Sequence, residues 1–173
     1  MKYLIVLIFI SVYSFCGLEL GFSASSPVWT HFTYIFQHAG MMHLIINSLA
    51  FISVYRSVQS LGNTRPALPL AFLIACGISF VTVRELPTVG ASGLVYALLG
   101  IYTGLTLCRE DIRIISRNRY LVFLFCILLG LTISYFKHNS NFLLHAGCYG
   151  CGCLTGCLLS IPPIDRFIYK KFN

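Results

Sequence analysis

The sequence predicts an all-α integral membrane protein, a bundle of six transmembrane helices in one domain spanning 1–173. Three observations predict it. Among 173 residues there are only 12 Lys or Arg and 5 Asp or Glu, 57% of the chain is hydrophobic, and the mean hydropathy is +0.82. A water-soluble domain of this size needs far more charged surface. The few charges are clustered, so that 20–55 and 86–108 contain none. Finally, the basic residues behind the net charge of +7 punctuate apolar runs instead of lining a polar face, which marks topology and excludes a nucleic-acid stripe. Once several helices of about 20 residues are subtracted, no room remains for a second domain, a Rossmann-type cofactor domain or a soluble core.

The first segment, 3–20, is the apolar run behind Lys2. It also has the look of a signal peptide, with Ala24 among small residues beyond it, but a retained helix accounts better for the charge pattern. The second, 42–55, stops at Arg56, and Gly62, Asn63 and Pro66 separate it from the third, 67–83, which stops at Arg84. Pro87 and Gly90 precede the fourth, 92–108, which is closed by Arg109. The fifth covers 120–136, and the sixth covers 142–161 ahead of Pro162 and Pro163. Several are shorter than an ideal span, and the uncharged flanks 37–41 and 86–91 extend the embedded region.

With the N-terminus inside, Lys2, Arg56, Arg65, Arg109, Arg113, Arg117, Arg119, Arg166, Lys170 and Lys171 collect on the inner side, and only Arg84 and Lys137 fall outside. The positive-inside rule then places both termini in the cytoplasm. The expected location is a bacterial inner (cytoplasmic) membrane, with the lipid bilayer as surroundings.

In this orientation the second, fourth and sixth helices all begin at the outer face, and each beginning is polar: His43 and Asn47, then Ser92, then His145. Seventeen residues separate Ser92 from Arg109 and twenty separate His145 from Asp165. At helical rise these are roughly 25 and 30 Å, so the two side chains belong at similar depth. Ionisable groups at membrane depth usually mark function. Imidazole is the usual base for a serine nucleophile, so Ser92 and His145 are a candidate pair. Gly90-Ala91-Ser92-Gly93 sets the serine at a loop-to-helix junction, where backbone N–H groups are free for an oxyanion. His43 and Asn47, four apart on one helical face, offer further donors. Neither helix carries an Asp or Glu, so no third acid accompanies the pair.

These residues resemble the rhomboid family of intramembrane serine proteases. The resemblance runs from about Trp29 to Gly156 through Phe36-Gln37-His38, His43-Leu44, Asn47-Ser48, the run from Gly90 to Gly100, and His145-Ala146-Gly147. It implies Ser92 as nucleophile, His145 as base, His43 and Asn47 as oxyanion contributors, Tyr96 as a ring on the catalytic imidazole, and Gly90 as room for substrate. It implies a rhomboid-like bundle that cleaves transmembrane protein substrates near the outer face, with no cofactor. Departures are Thr30 after Trp29, Val58 ahead of Gly62, Cys148 after Gly147, and a short segment between the first two helices. The alternative is an inactive rhomboid-like binder of transmembrane helices; a small transporter fits less well, since no polar file reaches the inner face.

Gly147, Gly150, Gly152 and Gly156, opposite Gly93, Ala97 and Gly100, are expected to form a small-residue packing face. The eight Cys lie in or at the ends of apolar segments and are expected to pack between helices, with no metal site, because Cys148 and Cys151 lack a second matching pair. Trp29, Phe32, Tyr34 and Phe36 are expected in an aromatic belt and interfacial loop helix, His31 and His138 at the interface, and His38 in ordering the loop.

Overall fold

A computed structural model describes residues 2–61, 65–108, 117–137 and 139–161. Among these residues it contains no strand and seven α-helices: α1 Lys2–Phe15, α2 Thr30–Thr33, α3 Met41–Gln59, α4 Ala67–Val81, α5 Ser92–Cys108, α6 Arg117–Phe136 and α7 Phe142–Leu159. Each of the six apolar segments holds one long helix, and α2 is a single helical turn between α1 and α3. The breakers Gly62, Asn63, Pro162 and Pro163, residues 109–116, His138, the basic C-terminal residues and the Cys126 side chain lie outside the described residues.

Helix ends depart from the apolar boundaries for physical reasons. The first segment leaves the α-helix at Phe15, and a 3-10 turn follows over Leu18–Leu20, where the Leu20 N–H donates to Gln37 Oε1 at 2.8 Å. In contrast, α3 runs past Arg56 to Gln59 and α6 begins at Arg117, because a charge marks the edge of the apolar layer and does not end a helix. The helix α1 packs into the body, with Phe9 fully buried against Phe36, His38 and Phe51.

Large apolar side chains face outward around the bundle, among them Leu49, Leu73, Leu128, Ile133 and Leu154. The interior mixes aliphatic side chains such as Leu98 and Ile101 with alanines, aromatic rings and hydroxyls such as Thr103 and Thr106, whose Oγ1 atoms donate back to their own helix. Apolar side chains both inside and outside suit a lipid solvent. The helices α3 and α7 are each long and apolar enough to cross a membrane, while α1, α4 and α5 are shorter apolar helices.

The helix α5 is enclosed by α3, α4 and α7, and its closest partner is α7. Their contact is backbone on backbone. A Cβ at Gly100 would meet the Tyr149 carbonyl oxygen, one at Gly152 the Ala97 carbonyl oxygen, and one at Gly156 the Ile101 carbonyl oxygen. Gly104 belongs to the same seam, against the Cys153 carbonyl. Gly147 and Gly150 do not. A Cβ at Gly147 would meet Ile78 Cγ2 of α4 at 2.9 Å, and one at Gly150 would meet nothing within 4 Å. Five residues separate Gly147 from Gly152, a rotation of about 140° once the full turn is removed, so one face cannot hold both. Cys148 is fully buried near Gly93, and the free thiols of Cys108 and Cys157 meet at 2.9 Å where α5 ends on α7.

Candidate active site

The turn into α5 is held by three separate parts of the chain. Phe22 and Thr88 exchange two backbone hydrogen bonds, the Gly90 N–H donates to the Tyr34 carbonyl at 2.9 Å, and the Tyr34 hydroxyl donates to the Ala75 carbonyl at 3.0 Å. Gly90 has φ +118°, and a Cβ there would also lie 2.6 Å from Cε1 of the His43 ring. Glycine is therefore needed twice over at this position. The space beside Gly90 is filled by His43 in this structure.

The start of α7 is tied to the same loop. Asn141 caps the helix, its Oδ1 accepting from the Leu144 N–H at 3.2 Å, while its Nδ2 donates to the Thr82 carbonyl at 2.9 Å and to Thr88 Oγ1 at 3.2 Å. The loop ahead of Ser92 and the cap ahead of His145 are thus one unit.

Ser92 opens α5 half-buried, and its Oγ lies 2.7 Å from Nε2 of the buried His145. The Tyr96 ring, one turn along α5, stacks on the imidazole with centroids 4.7 Å apart and planes at 27°. The other ring nitrogen, Nδ1, lies 2.7 Å from Ser134 Oγ of α6, and Ser134 Oγ lies 2.7 Å from Ser140 Oγ. A hydroxyl this close to an unprotonated Nε2 can pass its proton to the imidazole as the oxygen attacks an electrophile. His43 and Asn47 sit one turn apart on α3, and Asn47 Nδ2 donates to the His43 carbonyl at 2.9 Å. One N–H of that amide remains for another acceptor.

Behind His43 lies His38, almost fully buried between the His43 ring at 5.3 Å and the Phe9 ring at 5.2 Å. Neither of its ring nitrogens forms a hydrogen bond.

Three placements differ from the sequence expectation. His31 is buried, stacked between Phe22 and Phe80, with Nδ1 2.9 Å from Ser79 Oγ. Tyr34 is fully buried beside Gly93 and Phe36 is half-buried against Phe9 and Phe72, whereas Trp29 and Phe32 remain exposed in the manner of a belt. A polar partner on another helix lets an aromatic or imidazole ring enter the core. Sequence reasoning also passed over Asn141 and Ser134. An Asn directly before an apolar run signals an N-cap, so Asn141 was open to detection. Ser134, a lone hydroxyl in an apolar segment, gave only a weak signal. Among the described residues no three His, Cys, Asp or Glu side chains are grouped to hold a metal ion.

Comparison with known proteins places the chain in a family. The chain is 32% identical over 150 residues to RHOMBOID-like protein 1 of Arabidopsis thaliana, covering 84% of this chain and 38% of that protein. It is 27% identical over 154 residues to the putative rhomboid protease YdcA of Bacillus subtilis, covering 87% and 74%. It is also 27% identical over 158 residues to the rhomboid protease GluP of the same organism, covering 89% and 30%. The chain therefore spans well under half the length of two of these relatives and about three quarters of the other. The Rhomboid domain model matches residues 25–162, a stretch that takes in every element from α2 to the end of α7, and the chain accordingly belongs to the rhomboid family of integral membrane proteins.

Proposed function

We propose that the protein is an intramembrane serine endopeptidase working through a Ser92–His145 dyad. The observation that carries this reading is the 2.7 Å approach of Ser92 Oγ to His145 Nε2, from two helices whose glycine seam lets the backbones touch. Ser92 attacks the scissile carbonyl carbon, and its proton passes to Nε2. The carbonyl oxygen becomes an oxyanion, which takes hydrogen bonds from the free N–H groups at the start of α5, from His43 and from the second N–H of Asn47. The imidazolium then returns the proton to the leaving amine, and water hydrolyses the acyl-enzyme by the same steps in reverse order. Tyr96 keeps the ring in plane for both transfers.

In this reading the chain is a single domain of six membrane spans, both termini on the cytoplasmic side, with the dyad near the outer face. Substrates are transmembrane segments of other proteins. Their carbonyls are hydrogen-bonded internally in the bilayer, so a segment must unwind before attack. Gly, Pro or small polar residues near its outer end lower that cost. The test is cleavage of a model transmembrane substrate by purified protein, with labelling by a serine-directed fluorophosphonate. Ser92→Ala and His145→Ala each abolish turnover, Ser92→Ala abolishes labelling, and the double variant is no worse than either single one, because the pair acts as a unit. Appreciable cleavage by Ser92→Ala overturns the assignment. An intact wild type that neither cleaves nor labels points to the helix-binding alternative.

A further inference from the structure

We infer that Ser134 of α6 is the third member of the site, a positioning residue that accepts the Nδ1–H of His145 and so holds the imidazole in the tautomer able to act as base. The inference rests on the Ser92–His145 reading above. Three distances carry it: Nε2 to Ser92 Oγ, Nδ1 to Ser134 Oγ, and Ser134 Oγ to Ser140 Oγ, each 2.7 Å. They form one chain of hydrogen bonds drawn from α5, α7, α6 and the loop between α6 and α7.

Ser134 is buried on a helix whose neighbours Ile133, Tyr135 and Phe136 face outward. Its hydroxyl is directed differently from those of Thr103, Thr106 and Thr155, which donate back into their own helices. A hydroxyl has one proton and two lone pairs. If Ser134 donates to Ser140 Oγ, it has only lone pairs to offer His145, and Nδ1 must carry the hydrogen. Nε2 is then free to take the proton of Ser92. With every direction reversed, Ser134 would donate to Nδ1, Nε2 would carry the hydrogen, and the ring could not serve as base. Once His145 becomes the imidazolium both nitrogens donate, so Ser134 must accept, and this contact strengthens as charge develops. The proton taken from Ser92 stays on Nε2 until it passes to the leaving amine, and Ser134 itself is neither protonated nor deprotonated.

Ser140 is anchored in turn. Its carbonyl accepts from Arg84 Nη1 at 2.6 Å, and its N–H donates to the Lys137 carbonyl at 2.8 Å. The short turn leading into α7 thus presents its hydroxyl to α6. The titratable groups facing His145 are Tyr96 from α5 and His43 from α3, with Lys137 acting on His43 from the loop after α6. None of them reaches Nδ1, so a neutral hydroxyl does what a carboxylate does in a serine triad.

The experiment uses full-length protein in detergent micelles, with the kcat–pH profile on a model transmembrane substrate and 15N NMR of labelled histidine. In the wild type His145 is expected as the Nδ1–H tautomer. Ser134→Ala lowers kcat about 10-fold with KM little changed, the loss of one hydrogen bond. It also shifts the acid limb of kcat to lower pH, because the imidazolium has lost an acceptor, and it mixes the tautomers. Ser134→Thr, which keeps the hydroxyl, restores both. A merely structural defect would lower folded yield without moving the limb. If Ser134→Ala does not fold, Ser140→Ala decides, with a loss of about 3-fold and a shift in the same direction. Wild-type kcat and an unmoved limb in Ser134→Ala, or an Nε2–H tautomer in the wild type, overturns the inference. Cleavage that persists in Ser92→Ala sinks the dyad reading instead, and the tautomer still judges Ser134.

Discussion

Thr88 and Asn141 are joined by a hydrogen bond of 3.2 Å, and each lies four residues ahead of one member of the Ser92–His145 pair. The bond, together with that from Asn141 to the Thr82 carbonyl, fixes the start of α7 to the loop that starts α5. The alignment of Ser92 with His145 therefore depends on a contact one turn away from both.

Asn141→Ala removes the cap and both cross-links at once. We expect a stability loss of about 1–2 kcal/mol, typical of an N-cap, and a larger relative loss of kcat than of folded protein. Asn141→Asp keeps the cap acceptor but gives up the two donated bonds, and should recover stability better than turnover. Thermal unfolding in detergent, set beside cleavage at matched folded levels, checks both; wild-type turnover in Asn141→Asp would count against the clamp.

Gly90→Ala is expected to fail for two reasons, since it imposes φ +118° on an L-residue and drives a methyl into the His43 ring. The backbone term alone is about 1–2 kcal/mol. In the proposed mechanism Asn47→Ala keeps the fold but loses an oxyanion donor, and it should lower kcat roughly 100-fold while KM stays similar. Kinetics on purified variants separate the two effects, and an Asn47→Ala enzyme with wild-type kcat removes Asn47 from the oxyanion site.

The glycines of α7 provide an internal control. Gly152→Ala puts a methyl against the Ala97 carbonyl, forces α5 and α7 apart and should abolish activity, while Gly150→Ala meets open space and should be neutral or stabilising by up to about 1 kcal/mol. Cys148→Leu acts like Gly152→Ala, because Cys148 is fully buried on the side facing Gly93, and Cys148→Gly is tolerated. If Cys148→Leu retains full activity, that side is not a tight contact. Chelators are expected to leave turnover unchanged, and a loss on chelation would favour a metal role for the cysteines.

His38 is almost fully buried with neither ring nitrogen hydrogen-bonded. His38→Phe keeps an aromatic ring against Phe9 and removes two unpaired polar atoms, so it should leave the melting temperature unchanged or raise it. A clear fall in melting temperature in this variant would show that the imidazole nitrogens have partners that the fold needs.

What was legible in the sequence was set by local composition and spacing. The apolar runs located the six long helices, because lipid demands the same property at every turn, and the polar residues at the starts of the second, fourth and sixth runs named Ser92, His145, His43 and Asn47. The seam of Gly100 and Gly152 was also visible, since a glycine at a close crossing leaves a residue type to read. Tertiary structure alone decided the rest. That α1 stops at Phe15, that Gly147 faces Ile78 while Gly150 faces outward, and that His31 and Tyr34 are buried all depend on how each helix is rotated against its neighbours. An apolar helix in a membrane carries no amphipathic stripe to declare that rotation. The same holds for Ser134: one hydroxyl in the apolar segment 120–136 has no meaning until α6 turns it toward Nδ1 of His145.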